Sequence, residues 1–325
     1  MTDDRTQVAI ACQGGGSHTA FTAGVLREFL SQWQRREETF ELVGISGSSG
    51  GAFNALAVWY GLVTGDESTA IAILDELWDD IAANDALDQL FNGWVTAYAR
   101  LESVGVGFPQ VSPHHSPAAK WSQQQLADLL ERHVPIGEIP TLCAAEVPNL
   151  VVGAVDVNAG EFVTFVNDDV TIDAVLASAA IPGLFESVEI GGHRHWDGLL
   201  SQNPPVGDLL SLPGDRTPDE LWIIQINPQT RPETPTSLSE IADRRNELAG
   251  NISLNQELRI VERINEWIEG GYFDHPGYTT TAVRRIELTG YHQSTKVDRD
   301  PDFLEQLAAE GEERAAAFLD DRASE

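Results

Sequence analysis

The chain has 325 residues, and 42% of them are hydrophobic, which is enough for a substantial core without disulfide support. Its 51 acidic and 20 basic residues give a net charge of −31, which is expected to repel phosphate backbones and anionic membrane surfaces and excludes nucleic acid as a partner. This imbalance, with Lys120 and Lys296 as the two lysines, predicts adaptation to high salt and a halophilic source.

The first part of the chain repeats one plan of strand, glycine-rich loop and helix. The first unit combines an apolar strand at 7–11 with a helix that starts near Phe21. The second unit combines a strand at 41–45 with an apolar helix at 52–62. Two such units in succession indicate a parallel sheet that helices cover on both faces.

Further strands and helices follow along the chain. Four more strands are predicted, at 150–155, 162–166, 221–226 and 283–288. Amphipathic helices are predicted at 171–180, 238–268 and 302–319. We therefore expect an α/β fold, namely a three-layer α/β/α sandwich with a mostly parallel central sheet.

No linker divides the chain, so 1–325 is predicted to be a single domain. The segment 84–120 has no clear period and is interpreted as an inserted cap. Strands and helices resume in the C-terminal part, 215–325.

A serine lies in the turn that joins the second strand to its helix. Gly47, Ser49 and Gly51 match G-x-S-x-G, in which small neighbours allow a sharp turn that exposes the serine hydroxyl. A plain glycine-serine turn is the alternative. The position between an apolar strand and an apolar helix favours Ser49 as a nucleophile.

The surroundings of this turn support the same prediction. The following helix directs its first N–H groups, including that of Gly50, towards the serine, where they would stabilise negative charge on an attacked carbonyl oxygen. Ser46 and Ser48 are also hydroxyls of this segment, but neither occupies the centre of the pattern.

A second loop is predicted at the same edge of the sheet. Gly14, Gly15 and Gly16 follow the first strand, and their N–H groups can approach a tetrahedral oxygen closely, as an oxyanion hole requires. A nucleotide-phosphate loop is the alternative, but G-x-G-x-x-G would need glycine in place of Thr19.

The nucleophile also needs a base, and Asp197 is the best candidate. It lies between Trp196 and Gly198, and partial desolvation by the indole would raise the pKa of its carboxyl group. An ordinary Asp-Gly turn is the alternative.

Three blocks of sequence together resemble the patatin-like phospholipases. They are QGGGSHTAFTAGVL from Gln13, GISGSSGGAFNAL from Gly44 and ASAAIPGLFESVEIGGHRHWDGLLSQNPPV from Ala177. They match the family's glycine loop, its serine elbow and its distant Asp-Gly in order, and the resemblance covers about 7–210.

The resemblance implies a serine–aspartate dyad that works without histidine and without a metal or other cofactor. Ser49 is then the nucleophile, Asp197 its base, and the amides of Gly14, Gly15 and Gly16 the oxyanion hole. The implied substrate is a phospholipid or another lipid acyl ester. A transient contact with a membrane would accompany such a substrate.

Three residues depart from the family pattern. His18 stands where the family usually has Arg or Lys, as in a bacterial subgroup of it. Thr19 replaces a glycine and would stiffen or narrow the loop, and Leu199 replaces a small residue. None of these changes removes a catalytic atom, so they affect the expected fit of the substrate.

Two other functions remain open at this point. An α/β-hydrolase triad would recruit a histidine such as His275 or His292, and a non-catalytic lipid-binding protein could retain the same fold. His193 and His195 have the spacing of a metal pair, but no acidic partner stands at helical spacing, so zinc is discounted.

The remaining features concern location and substrate channel. Cys12 and Cys143 lie in apolar runs, and the N-terminus shows acids where a signal peptide has bases, so a reducing, cytoplasmic location is expected. The longest apolar run, 52–63, is too short to span a bilayer. Aromatic residues of the cap would line an acyl-chain channel or simply pack the insertion, namely Phe91, Trp94, Tyr98 and Phe108.

Overall fold

The computed structural model describes residues 5–35, 40–84, 88–89, 92–93, 112–144, 146–211, 217–272 and 279–324. Its strands are β1 (Thr6–Cys12), β2 (Phe40–Gly47), β3 (Asn149–Asp156), β4 (Glu161–Val166), β5 (Val188–Ile190), β6 (His193–Asp197), β7 (Glu220–Gln225) and β8 (Ala282–Glu287). Its helices are α1 (Ala20–Arg35), α2 (Gly50–Thr64), α3 (Glu67–Ile81), α4 (Pro117–His133), α5 (Ile139–Leu142), α6 (Ile172–Ser178), α7 (Gly207–Leu210), α8 (Leu238–Glu269) and α9 (Pro301–Arg322). No helix of the described ranges is both long enough and apolar enough to cross a membrane.

The described strands form one mixed sheet. The order is β5-β6-β3-β2-β1-β7-β8, with β4 paired to β3. The strands β3, β2, β1, β7 and β8 run parallel, whereas β4 and β6 run antiparallel to β3, and β5 antiparallel to β6. The predicted α/β class with a mostly parallel sheet is confirmed.

Both faces of the sheet are buried, and β1 shows why its sequence is a continuous apolar run. Val8, Ile10 and Cys12 lie in one core with α1, α2, α3 and α9, whereas Ala9 and Ala11 lie in a second core with α7 and α8. Alternate side chains of a strand point to opposite faces, so a strand between two helical layers is apolar at every position.

Six of the described elements were not predicted, namely β5, β6, α3, α4, α5 and α7. The strands β5 and β6 are short, and β6 has the polar sequence HRHWD, which shows no apolar alternation. The helices α5 and α7 have only four residues each, too few for a helical period to show. The helix α4 buries only Ala119, Ala127 and Leu130, a narrow apolar stripe. The start of α4 at Pro117 lies inside the predicted cap, and the four cap aromatics lie outside the described residues.

Two strands end close together on one edge of β3. The strand β4 occupies the other edge along Val151–Asp156, so β2 and β6 must share the remaining edge. Gly47, the last residue of β2, pairs with Val152, and Asp197, the last residue of β6, pairs with Ala154. The residues that follow β2 and β6 therefore meet at the same place.

Candidate active site

Ser49 lies at the sharp turn between β2 and α2. Its φ of 54° and ψ of −132° are rare for a residue with a side chain and cost on the order of 1–3 kcal/mol. The backbone N–H of Ser49 donates to Oγ of Ser178 at 2.9 Å and to the Ser178 carbonyl oxygen at 3.1 Å. These contacts hold the strained backbone of Ser49 immediately before the start of α2.

The two neighbouring serines are engaged elsewhere. Ser46 Oγ donates to the carbonyl oxygen of Pro205 at 2.6 Å, and Ser48 Oγ donates to that of Gln202 at 3.2 Å. Both residues are fully buried, whereas Ser49 retains 5% of its surface. Ser49 is therefore the hydroxyl of this turn whose position suits a nucleophile.

The glycines that flank Ser49 are required by close backbone approach. A Cβ atom on Gly47 would lie 2.4 Å from the carbonyl of Gly51, and one on Gly51 would lie 2.2 Å from the carbonyl oxygen of Cys12. A side chain on Gly47 would force β2 away from the start of α2, and one on Gly51 would push the turn away from β1, so the G-x-S-x-G spacing follows from the packing.

Asp197 is completely buried beside this turn. Its Oδ1 accepts a hydrogen bond from the N–H of Leu199 at 2.8 Å, while Oδ2 has no partner among the described residues. Desolvation raises the pKa of Asp197 to about 7, and the bond from Leu199 and the nearby Ser49 hydroxyl oppose this rise more weakly. No hydrogen bond of ordinary geometry joins Asp197 to Ser49, so the unpartnered oxygen is free to receive a proton.

The segment that starts at Ala177 connects the two candidate residues. Ser178 accepts from Ser49 as described, and the carbonyl oxygen of Ala180 accepts from the N–H of Asp197 at 3.1 Å. One short segment, from the end of α6 to Ala180, thus positions both backbones, which gives a physical reason for the ASAAIP block.

The glycine loop lies against the serine turn, but Gly14 does not have the predicted role. A Cβ atom on Gly14 would lie 2.8 Å from Cβ of Ser49, so the two are in contact. The Gly14 N–H, however, donates to Oδ1 of Asn203 at 2.7 Å, which contradicts its assignment to the oxyanion hole. In the described part of the chain, no hydrogen bond uses the N–H groups of Gly15, Gly16 or Gly50.

Four buried amide side chains hold Gly14 in place, and sequence reasoning missed them. Asn227 Nδ2 and Asn203 Nδ2 donate to the Gly14 carbonyl oxygen at 2.9 and 3.2 Å. Gln13 Nε2 donates to the Asn203 carbonyl oxygen at 2.8 Å and to Oδ1 of Asn251 at 2.9 Å. The four positions are far apart in the sequence. Two of them, Gln13 and Asn203, lie in the blocks that resemble the family, whereas no motif includes Asn227 or Asn251.

The two departures within the loop have distinct effects. Thr19 Oγ1 donates to the Gly16 carbonyl oxygen at 2.7 Å, which braces the loop as predicted. His18 is buried, and Nε2 lies 2.7 Å from Oγ1 of Thr295. Burial and then the charge of Lys296 lower the pKa of His18 to about 3, so this ring is neutral and supplies no cation.

Three further histidines have hydrogen-bond partners other than Ser49 and Asp197. His193 Nδ1 lies 2.5 Å from Oδ2 of Asp156, and Nδ1 of His195 lies 3.2 Å from the carbonyl oxygen of His193. His292 Nδ1 lies 2.9 Å from Oγ of Ser294. His275 lies outside the described residues, and within them no group of three potential metal ligands occurs.

The fold and the site define an α/β protein with a strained serine and a buried aspartate at the carboxyl edge of a mostly parallel sheet. The family model of the patatin-like phospholipases matches residues 10–210, more than half of the chain. The chain therefore belongs to the patatin-like phospholipase family, and this membership supports lipid acyl hydrolase activity.

Solved structures with some similarity include two bacterial proteins and one human protein. VipD from Legionella pneumophila is 12% identical, with a TM-score of 0.40 over 95% of this chain and 67% of VipD. ExoU from Pseudomonas aeruginosa, in its complex with SpcU, is 13% identical, with a TM-score of 0.40 over 99% of this chain and 52% of that chain. Human GIVD cytosolic phospholipase A2 is 14% identical, with a TM-score of 0.29 over 77% and 30%. No protein of curated function matches the chain.

Proposed function

We propose that this protein is a serine acyl hydrolase that cleaves lipid acyl esters, as a phospholipase A or lipase does, through a Ser49–Asp197 dyad. The observation that carries the proposal is the convergence of β2 and β6 on one edge of β3, because it brings the strained Ser49 turn to a buried aspartate with one unpartnered oxygen. Family membership supports an ester of a lipid as the substrate.

In the proposed reaction, Asp197 accepts the proton of Ser49 as the serine oxygen attacks the ester carbonyl. The N–H groups of Gly15, Gly16 and Gly50 stabilise the oxyanion, aided by the N-terminus of α2. The tetrahedral intermediate collapses, and the proton held by Asp197 passes to the departing oxygen, so that the alcohol leaves. In the second step Asp197 accepts a proton from water as the water attacks the acyl-enzyme, and that proton returns to Ser49 as the acid is released. Gly14 supports the loop through its bonds to Asn203 and Asn227 and does not donate to the oxyanion.

Two substitutions test the dyad. Ser49→Ala and Asp197→Asn should each lower kcat/KM for a nitrophenyl ester and for phosphatidylcholine by about 10³-fold or more, because each removes a group that acts in the chemical step. A fluorophosphonate probe should label Ser49 in the folded protein, with the modified residue located by mass spectrometry. Full activity in either variant would show that the dyad is misassigned.

Ser48→Ala is the matched control for the nucleophile, because Ser48 is adjacent but its hydroxyl is bonded to Gln202. This variant should still react with the probe at Ser49. His292→Ala tests the triad alternative and should leave ester turnover at its original level. Labelling that fails in all forms would instead support a non-catalytic lipid-binding role.

We also propose a cytoplasmic location and a halophilic bacterial or archaeal source. Cys12 and Cys143 are both free thiols, which suits a reducing compartment. The net charge of −31 with two lysines supports the halophilic source.

A further inference from the structure

The long helix α8 carries a continuous exposed stripe. In its segment 238–259 the exposed positions recur every three or four residues, which places them on one line along the helix. We call this set the α8 stripe, and it consists of Leu238, Ile241, Arg245, Leu248, Ile252, Gln256 and Arg259. It spans about 32 Å at the helical rise of about 1.5 Å per residue.

The apolar members of the α8 stripe are large and accessible to solvent. Leu238 is 84% exposed, Ile241 46% and Ile252 50%, and Ile260 beside the stripe is 60% exposed. Single exposed apolar side chains are common on protein surfaces, but a row of them along one helix indicates an interaction surface.

The charge of the α8 stripe is opposite to that of the whole protein. The chain has 51 acidic and 20 basic residues, yet the stripe contains two arginines and no acid. A surface with this local composition would attract an anionic partner, although the protein as a whole repels one.

The acids of the same segment are held on other faces of α8. Asp243 and Glu247 accept from Lys296 at 2.8 and 3.0 Å, on the side that packs near the glycine loop. Glu240 caps the helix start by accepting from the N–H of Ser237 at 3.0 Å, and Glu257 accepts from the N–H of Gly207 at 3.2 Å. Each acid of the segment 238–259 thus bonds to another part of the protein or to the start of the helix, and none of them belongs to the α8 stripe.

The inner face of α8 lies next to the candidate active site. A Cβ atom on Gly250 would lie 3.1 Å from Cβ of Asn203 and 3.4 Å from the carbonyl oxygen of Leu199. Asn251, on the same face, belongs to the amide cluster below Gly14. A surface bound to the stripe would thus lie about one helix diameter from Asn203 and the other amide side chains that position Gly14.

We infer that the α8 stripe docks the protein on the surface of a phospholipid bilayer that carries anionic headgroups. Its leucine and isoleucine side chains enter the boundary between headgroups and acyl chains, and Arg245 and Arg259 extend to the lipid phosphates. A second copy of the chain fits less well, because its own stripe offers no carboxylate to these arginines. The biological sense of this docking rests on the proposed function, since the substrate would lie in that bilayer.

Repulsion from the rest of the protein does not prevent this contact at moderate salt. At an ionic strength of about 0.15 M the Debye length is about 8 Å, so acids on remote faces are largely screened. The groups at the contact itself then decide the sign of the interaction. Within 238–259 the exposed charged groups are the two arginines, and the first exposed acid further along α8 is Glu262.

Binding can be measured without turnover by using the Ser49→Ala variant in every form. This protein is sedimented with vesicles of phosphatidylcholine alone and of phosphatidylcholine with about 30 mol% phosphatidylglycerol, at about 0.15 M salt. We expect binding to the mixed vesicles, and a loss of about tenfold in affinity on adding Leu248→Gln and Ile252→Gln together. Adding Arg245→Gln and Arg259→Gln should remove the preference for the mixed vesicles.

Trp121→Gln is the control, because Trp121 is 65% exposed on another helix, and it should bind like the parent. The same substitutions are also made in protein that retains Ser49. Circular dichroism then reports whether each variant is folded, and hydrolysis of a short, water-soluble nitrophenyl ester reports whether the chemistry is intact. Absence of binding by the parent, equal binding by the stripe variants, or a parent dimer that the stripe substitutions dissociate would each overturn the inference. Failure of the proposed function would appear as absent ester hydrolysis instead.

Discussion

Burial of Asp197 determines the pH at which the proposed dyad operates. Because desolvation raises the pKa of this carboxyl to about 7, the group is protonated below that value and cannot accept the serine proton. We expect kcat/KM for a soluble ester to fall about tenfold per pH unit below pH 7. This inflection lies in the range where an imidazole also titrates, so the pH profile alone does not separate a carboxylate from an imidazole.

The temperature dependence of the apparent pKa makes that distinction. Carboxyl groups ionise with little heat and imidazoles with much more, so the inflection should hardly move between cold and warm assays. His292→Ala is the control and should leave the inflection in place. A pKa that falls steeply on warming would contradict the carboxylate assignment.

The same burial should make the ionised Asp197 carboxylate lower the free energy of unfolding at alkaline pH. An unfolded aspartate has a pKa near 3.8, so the folded state binds the proton more tightly and stability declines as the pH rises through about 4 to 7. Asp197→Asn should raise the free energy of unfolding at pH 8, on the order of 2–4 kcal/mol, and change it little at pH 4. Chemical denaturation at both pH values measures this, and an equal change at both would contradict the assignment.

At the level of elements, the loop between β1 and α1 depends on side chains from distant parts of the chain. Asn203 bonds both the N–H and the carbonyl oxygen of Gly14, so Asn203→Ala should let the loop move and misplace the amides of Gly15 and Gly16. We expect kcat for a nitrophenyl ester to fall about 10²-fold, with a smaller change in KM.

Asn255→Ala is the matched control for this prediction. Asn255 is also an asparagine of this region, but it bonds to Gln229 and to the backbone of Asn251 and does not reach Gly14. This variant should retain most of the turnover. Equal losses in the two variants would indicate a general effect on folding.

Sequence periodicity predicted the elements that bury apolar side chains on a regular spacing. The strands β1, β2, β3 and β7 and the helices α2, α8 and α9 are of this kind, and their positions were confirmed. The polar strand β6 was not predicted, because backbone pairing to β3, and not the burial of alternate apolar side chains, holds it in the sheet. The cluster of buried amide side chains was not predicted for a related reason. Its hydrogen bonds join segments that are far apart in the sequence and that no local pattern connects, namely those of Gln13, Asn203, Asn227 and Asn251.

At the level of the whole molecule, the net charge of −31 should make stability depend strongly on salt. Mutual repulsion of the acids opposes folding, and screening shortens its range to about 3 Å at about 1 M salt. We expect Tm to rise by roughly 10 °C between about 0.1 M and 2 M KCl, as measured by circular dichroism.

Sucrose at matched osmolality is the control for this experiment, since it is excluded from protein surfaces without screening charge. It should raise Tm less than KCl does. An unchanged or lower Tm in KCl would remove the argument for a halophilic source.

The arrangement of β2 and β6 on one edge of β3 has a consequence for how such a protein can vary. Their last residues pair with Val152 and Ala154, two positions apart, so the strand repeat of about 3.3 Å per residue sets how far the Ser49 turn lies from Asp197. The backbone of β3 thus fixes the distance between the end of β2 and the end of β6. The chain between α2 and β3 can therefore differ in length without a change in the strand pairing that sets the spacing of Ser49 and Asp197.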